Sequence, residues 1–201
     1  MNPRQILATH HASTTEFNSN SYTHIRAIIE LHRGYLHEEF DRIGEYAPGL
    51  PVAAHLNTLL IRCGNQIAGF CAIDPHNYAL ELVYLAPEHR GKGIVSAVIT
   101  QMKATCPQRM GAKMPFTPSS QALVQRTGLR PITPSPESLL ANARQLADIN
   151  RTIRKECPHK GGNPAKACPR CYRKALSRSA EYVVQSYLTE QRETARQGAS
   201  T

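Results

Sequence analysis

The chain has 201 residues, 41% of them hydrophobic, with 24 Lys and Arg against 15 Asp and Glu, a formal charge of +9. That length suits one domain with an appendage and a sizeable core. No run approaches a membrane span, and MNPRQILATHHAST lacks the apolar stretch of a secretory signal, so neither a spanning nor a secreted protein is expected. The charge is uneven. From Arg151 onward there are 11 Lys and Arg against 4 Asp and Glu, a net +7, which leaves +2 for the first 150 residues. A basic tail suits nucleic acid or another polyanion, although a solvated basic surface is the commoner outcome. Six cysteines without a secretory signal favour a reducing, cytoplasmic compartment, where metal ligation prevails over disulfides.

In chain order, Gln5 to Ala8 reads as a weak first strand. Polar residues over Asn18 to Tyr22 precede a helix marked by Ile25, Ile28, Ile29 and Leu31, and a second helix is expected over Tyr35 to Glu45. Pro48-Gly49-Leu50-Pro51 breaks it. Asn57 to Cys63 and Ile67 to Ile73 read as an antiparallel pair about a Gly64-Asn65-Gln66 turn. Ala79 to Leu85 is a further strand, apolar except for Glu81. The turn Arg90-Gly91-Lys92-Gly93 leads into a helix with Ile94, Val95, Val98, Ile99 and Met102 at helical spacing. A short strand over Arg109 to Pro115, a helix over Ser119 to Thr127 closed by Gly128, and a strand over Leu129 to Ile132 follow. From Glu137 the regime changes. Leu139, Leu140, Ala143, Leu146, Ile149 and Ile153 form one expected apolar stripe, and Leu176, Ala180, Val183, Val184, Tyr187 and Leu188 form another on a last helix over Tyr172 to Arg196.

Two stretches carry chemistry. The first is the strand, glycine turn and helix from Ala79 to Thr105. A helix N-terminus preceded by glycines offers free N–H groups, a positive dipole end and close backbone approach, which together make an anion site. An isolated glycine pair of this kind is more often a plain surface turn. Here Leu82-Val83-Tyr84-Leu85-Ala86-Pro87-Glu88 and Arg90-Gly91-Lys92-Gly93-Ile94-Val95 resemble the strand and acyl-CoA loop of the GNAT superfamily of N-acyltransferases, a loop that runs Gln/Arg-x-x-Gly-x-Gly/Ala. Ala122 to Leu129 resembles the family's later helix-Gly-strand element, and the resemblance spans Ile6 to Ile132. It implies an α/β (α+β) fold, a mixed and mostly antiparallel sheet flanked by helices, over residues 1–135. It implies acyl-CoA, most simply acetyl-CoA, as co-substrate. Gly91, Lys92, Gly93, Ile94 and Val95 with Arg90 would hold its pyrophosphate, and backbone groups near Leu85 and Ala86 would pair with its pantetheine arm. Val95 departs from the small residue that closes the family's loop.

Acyl transfer to an amine needs a base, a polarised carbonyl and a proton for the leaving thiolate. Glu81, the one acid in an apolar strand at the position where many family members carry a catalytic Glu, is the candidate base. The alternative is a Glu bonded to a neighbouring strand. The family's usual acid, a Tyr four residues before the helix-ending glycine, is Val124 here, so the proton donor is unassigned. His32 and His37 fall where acceptor-binding helices are expected.

The second stretch is Cys157-Pro158-His159 and Cys168-Pro169-Arg170-Cys171. Two short chelating turns with four soft or borderline ligands suit tetrahedral Zn²⁺ in a closed, structural site. Free thiols or a redox Cys-x-x-Cys are the alternatives. Residues 136–201 are thus expected to form a zinc-clipped helical hairpin. Lys155, Lys160, Lys166, Arg170, Arg173, Lys174 and Arg178 surround it and would suit phosphates; it could equally serve a homodimer. The expected function is transfer of an acyl group from acyl-CoA to an amine on a small molecule or macromolecule. A second reading, of a different class, is a GNAT-like binding module without catalysis.

Overall fold

A computed structural model describes residues 2–44, 46, 49–105, 110–159 and 168–198. Its element order is α1 (Pro3–Thr9), β1 (Ala12–Glu16), α2 (Tyr22–Ile43), β2 (Asn57–Cys63), β3 (Gln66–Asp74), β4 (Ala79–Leu85), a 3₁₀ turn (Pro87–His89), α3 (Ile94–Thr105), β5 (Gly111–Lys113), α4 (Pro118–Thr127), β6 (Arg130–Ile132), α5 (Pro136–Glu156) and α6 (Pro169–Gly198). The six strands form one sheet in sequence order. β1 to β4 are antiparallel, and β5 and β6 add on in parallel. The expected mixed, mostly antiparallel α/β architecture with a C-terminal helical hairpin is the architecture found.

Two expectations near the N-terminus are corrected. Gln5 to Ala8 is helical, inside α1, because Asn2 and Gln5 form a reciprocal capping box and Pro3 sits at the first turn. The first strand is the polar Ala12–Glu16 instead, an edge strand with little apolar signal. The two helices expected before residue 45 are one helix of 22 residues, capped by the Ser21 side chain and ended by Gly44 in the left-handed conformation. Gly34 in its middle permits close packing rather than a break: a Cβ there would lie 2.8 Å from the Tyr84 hydroxyl.

Two apolar cores flank the sheet. On one face, Leu7 of α1, Ile94, Ala97, Val98 and Ile99 of α3 and Val124 of α4 pack on Ile61, Cys71, Leu80 and Leu85. On the other, Ile28 and Leu31 of α2 and Val184 and Leu188 of α6 pack on Leu60, Phe70, Leu82 and Tyr84. A third cluster joins α2, α5 and α6 through Leu36, Ile149, Ile153, Leu176 and Ala180. Of the α6 stripe, Leu176, Ala180, Val184 and Leu188 are buried and Val183 and Tyr187 partly so. The α5 stripe is corrected: Leu139, Leu140 and Leu146 are 55%, 53% and 39% exposed, while Ser138, Gln145, Ile149 and Ile153 are buried. The helix is rolled so that polar side chains meet the sheet, for a reason seen in the site. Among the described residues, no helix is long and apolar enough to cross a membrane.

Candidate functional site

β4 and β5 pair only at Ala79 with Gly111 and Leu80 with Ala112. Beyond Leu80 the two strands part, and the gap opens into a cavity of about 780 Å³. At the parting point β4 carries a bulge: Leu80 faces Ile73 and Leu82 faces Ala72, which leaves Glu81 as the extra residue. A bulge re-aims the side chain it carries. It also moves Leu80 into the α3-side core and Leu82 into the α2-side core, which strict alternation would have put together. Glu81 lies between them and lines the cavity.

At the other end of the cavity, Gly91 and Gly93 adopt φ values of +75° and +73°, a conformation that costs a non-glycine residue about 1–2 kcal/mol. They bring the chain into α3, and no side chain among the described residues bonds its first-turn N–H groups, so those of Ile94, Val95 and Ser96 face the cavity. A Cβ at Gly91 would meet nothing within 4 Å, so the turn is open on its outer side. Val95 lines the cavity and also packs against the α1–α3 core, which draws part of its bulk away from the space its neighbours leave. Lys92 folds onto its own turn, its Nζ donating to the Glu88 carbonyl at 3.0 Å.

A strand that parts from its neighbour beside an uncapped helix N-terminus agrees with the family comparison. The family model described as the acetyltransferase (GNAT) family matches residues 22–128, more than half of the chain. The chain belongs to the GNAT family. No curated protein and no solved structure matches it. Membership makes acyl-CoA-dependent acyl transfer the general activity of the fold, and the cavity suits such a co-substrate: it joins a glycine turn at a helix N-terminus to a strand edge that β5 leaves unpaired beyond Leu80.

Within this GNAT cavity the expected residues divide. Gly91 to Val95 lie together around the α3 N-terminus. Arg90 is on the same turn, but its guanidinium points back: Nε donates to the Leu85 carbonyl at 2.7 Å and Nη2 to Glu38 at 2.7 Å. The Ala86 N–H donates to the Ala68 carbonyl at 2.8 Å. Ala86 therefore faces β3, and by the alternation of antiparallel ladders Leu85 and Val83 turn their backbone groups toward the gap. Tyr84 also donates to Glu38, at 2.7 Å, with the Arg90 guanidinium over its ring. Burial first, then this bond, pushes the Tyr84 hydroxyl above its ordinary value.

Glu81 is buried and paired. Its Oε2 contacts Lys113 Nζ of β5, with the two side chains 2% and 7% exposed, and accepts from the Ser138 hydroxyl of α5 at 2.7 Å. Lys113 Nζ in turn donates to Ser138 Oγ at 3.1 Å. Glu81 Oε1 has no hydrogen-bond partner among the described residues, and neither has Asn142 Oδ1 of α5. Ser138 and its helix neighbour Asn142 are why α5 is rolled with polar residues inward: the C-terminal hairpin supplies a wall of the site. Lys113, Ser138, Asn142 and Glu38 escaped the sequence reading. The one signal for Lys113 was a lone cation in the short apolar run Met110 to Phe116; Ser138 sits in a segment that no family motif reaches.

His32 is fully buried on α2, its Nε2 3.3 Å from the Gly49 carbonyl, and burial lowers its pKa to about 3. It is neutral in the core and does not line the cavity. His37 bonds Ser177 of α6 at 2.9 Å and likewise holds helices together.

The second cluster lies at the far end of the hairpin. One ligand atom from each of Cys157, His159, Cys168 and Cys171 falls within 4.8 Å of the others. His159 Nδ1 is 3.8, 3.4 and 4.0 Å from the three Sγ atoms in chain order. Tetrahedral zinc at usual bond lengths needs about 3.6 Å between sulfur and nitrogen. The set fits zinc: Cys157 and His159 close the C-terminus of α5, Cys168 and Cys171 open α6, and the ion would clip the two. Hydrogen bonds to the Cys157 thiol, the His159 backbone foremost, lower its pKa to about 6. The side chains of Cys168 and Cys157 push Cys171 up to about 12, a proton that a metal would have to displace. Residues 160–167, with the expected Gly161 to Pro164 turns and Lys160 and Lys166, lie outside the described residues, as do Glu45, Pro48, Cys106 and Arg109. Of the basic residues around the cluster, Arg173 pairs with Asp41, and Lys174 and Arg178 pair with Glu156, within the chain.

Proposed function

We propose that the chain is an N-acyltransferase that moves an acetyl group from acetyl-CoA to a primary amine, in a cytoplasmic setting. The observation that carries this reading is a buried acid with one free oxygen, Glu81 Oε1, at the point where β4 and β5 separate, in the same cavity as the uncapped N-terminus of α3. In this reading Gly91 to Val95 receive the pyrophosphate with Arg90 and Lys92 near the turn. The pantetheine arm runs along the gap beside Leu85 and Ala86, where the backbone groups turned to the gap are those of Val83 and the N–H of Leu85, the Leu85 carbonyl already accepting from Arg90. Glu81 takes the proton from the attacking amine. Zinc, held by Cys157, His159, Cys168 and Cys171, fixes the hairpin of residues 136–201 against residues 1–135. Glu81 Oε1 and Asn142 Oδ1 are both acceptors, which suits a ligand that brings N–H donors.

The test is thiol release from acetyl-CoA with a panel of amines, comparing wild type with Glu81→Gln. Turnover in the variant should fall at least a hundredfold with acetyl-CoA affinity retained, the usual scale of a lost general base. Equal turnover would remove Glu81 from the role.

A further inference from the structure

A thiolate that leaves as an amide forms needs a proton, and the cavity hydroxyls outside its tyrosines, Ser96, Thr117 and Ser120, are weak alcohol acids, Thr117 and Ser120 being bonded to each other. The residue four before the helix-ending glycine is Val124, apolar and buried in the α3-side core. The two tyrosines at the cavity, Tyr35 and Tyr84, are both held above their ordinary range, by burial first, and Tyr84 is bonded to Glu38. Lys92 is occupied on the exposed turn. His89 is on the turn, its Nε2 facing Glu88. The cation in contact with Glu81 itself is an ammonium. Lys113 stands on β5 directly across the parting strands, its side chain 7% exposed, in contact with Glu81 Oε2 and with Ser138.

Resting on the acyltransferase reading above, we propose that Lys113 is the proton donor to the leaving thiolate, that it works as one unit with Glu81, and that Ser138 of the C-terminal hairpin positions the pair. The balance closes without an outside reagent. A neutral amine attacks the thioester carbonyl, its N–C bond forms and its proton passes to Glu81 Oε1. The C–S bond breaks, and the sulfur takes a proton from Lys113 Nζ. Glu81 is then neutral and Lys113 is a neutral amine. Rotation of the neutral Glu81 carboxyl group carries its proton to the side that Ser138 and Lys113 face, and the proton returns to Lys113 through the Ser138 hydroxyl that touches both or across their direct contact. The ion pair is restored, and one proton has moved from amine to thiol. The order is physically coherent: protonating Glu81 removes the anion that holds the ammonium, so Lys113 becomes a better donor at the moment the thiolate forms. Lys113 and Glu81 lie on β strands of the family domain, but the hydroxyl that links them comes from α5, whose far end carries the Cys157 and His159 ligands.

The experiment uses the full zinc-loaded chain, acetyl-CoA as donor and hydroxylamine as a small acceptor, with thiol and hydroxamate both measured. Lys113→Ala should lower kcat by about a hundredfold or more, the scale of a lost general acid, with little change in acetyl-CoA affinity by calorimetry. Trimethylammonium, which carries a proton and forms no stable amide, should restore part of that loss; tetramethylammonium, with the same charge and no proton, should not. Ser138→Ala should lower kcat by a smaller factor and leave acetyl-CoA affinity unchanged. Lys113→Met, which keeps most of the side-chain length and no proton to give, serves where the alanine variant does not fold, and should show the same loss in kcat. Turnover of either Lys113 variant within about threefold of wild type, equal rescue by the two ammonium ions, or an acetyl group found on Lys113 by mass spectrometry would overturn the proposal and leave the acyltransferase reading standing. A wild type that binds no acetyl-CoA would instead remove that reading itself.

Discussion

Glu81 and Lys113 form a buried ion pair inside a cavity, and such pairs are a poor source of stability because desolvation offsets their attraction. Their persistence at the opening of a strand gap, with a free carboxylate oxygen beside them, is better explained by chemistry than by folding. The glycine turn follows the same logic. Gly91 has φ of +75° with no atom near its missing Cβ, so Gly91→Ala meets no clash and pays only the backbone term, about 1–2 kcal/mol. Its expected result is a modest fall in stability and a severalfold weaker affinity for acetyl-CoA, read by thermal melts and calorimetry together. Unchanged affinity would mean that the turn is not the phosphate cradle. His32 makes a different kind of residue-scale claim. Buried and neutral, with its pKa lowered from 6.5 to about 3, it binds a proton in the unfolded chain before it does in the folded one. Stability therefore stays constant with respect to this group above pH 6.5 and is lost as pH falls toward about 3, with a limiting slope of about 1.4 kcal/mol per pH unit. Denaturant titrations at pH 7 and pH 5 should show a smaller acid-side loss for His32→Gln than for wild type. An identical loss would assign the acid sensitivity elsewhere.

At the scale of elements, the hairpin is where sequence and structure part most usefully. The strand, glycine turn and helix from Ala79 to Thr105 were legible because apolar alternation, turn residues and helical spacing all point the same way there, and β2 and β4 match their expected bounds. The Cys/His cluster was legible because Cys and His at short spacing have few other uses. α1 was missed because the four residues Gln5 to Ala8 fit either period, and only the Asn2 capping box, a local pair of hydrogen bonds, decides it. The α5 roll was illegible for a physical reason: its inward Ser138 and Gln145 are selected by partners distant in sequence, Glu81, Lys113 and Tyr46, and hydrophobic periodicity carries no trace of such bonds. The zinc clip belongs to this scale. Elemental analysis should find about one zinc per chain from the four-ligand set. Its removal by a strong chelator should lower the melting temperature and reduce helical signal, with Cys168→Ser reproducing both. A metal-free chain that melts unchanged would make the cluster four independent thiol and imidazole groups.

In the whole molecule, the hairpin is part of the fold that encloses the cavity, because the same helices that meet at the cysteine cluster also meet the sheet. Val184 and Leu188 of α6 complete the core beneath Tyr84, and Ser138 and Asn142 of α5 reach Glu81 and the cavity. The family domain supplies the strand gap and helix N-terminus, and α5 of the C-terminal hairpin adds Leu139 and Asn142 to the wall. All of this presupposes that the cavity takes acyl-CoA. The most direct test is calorimetric titration of the zinc-loaded chain with acetyl-CoA. The account predicts saturable binding of about one molecule per chain at concentrations below about 1 mM, the usual upper range for an enzyme and its substrate. No binding at millimolar acetyl-CoA, from a folded and zinc-loaded protein, would contradict it.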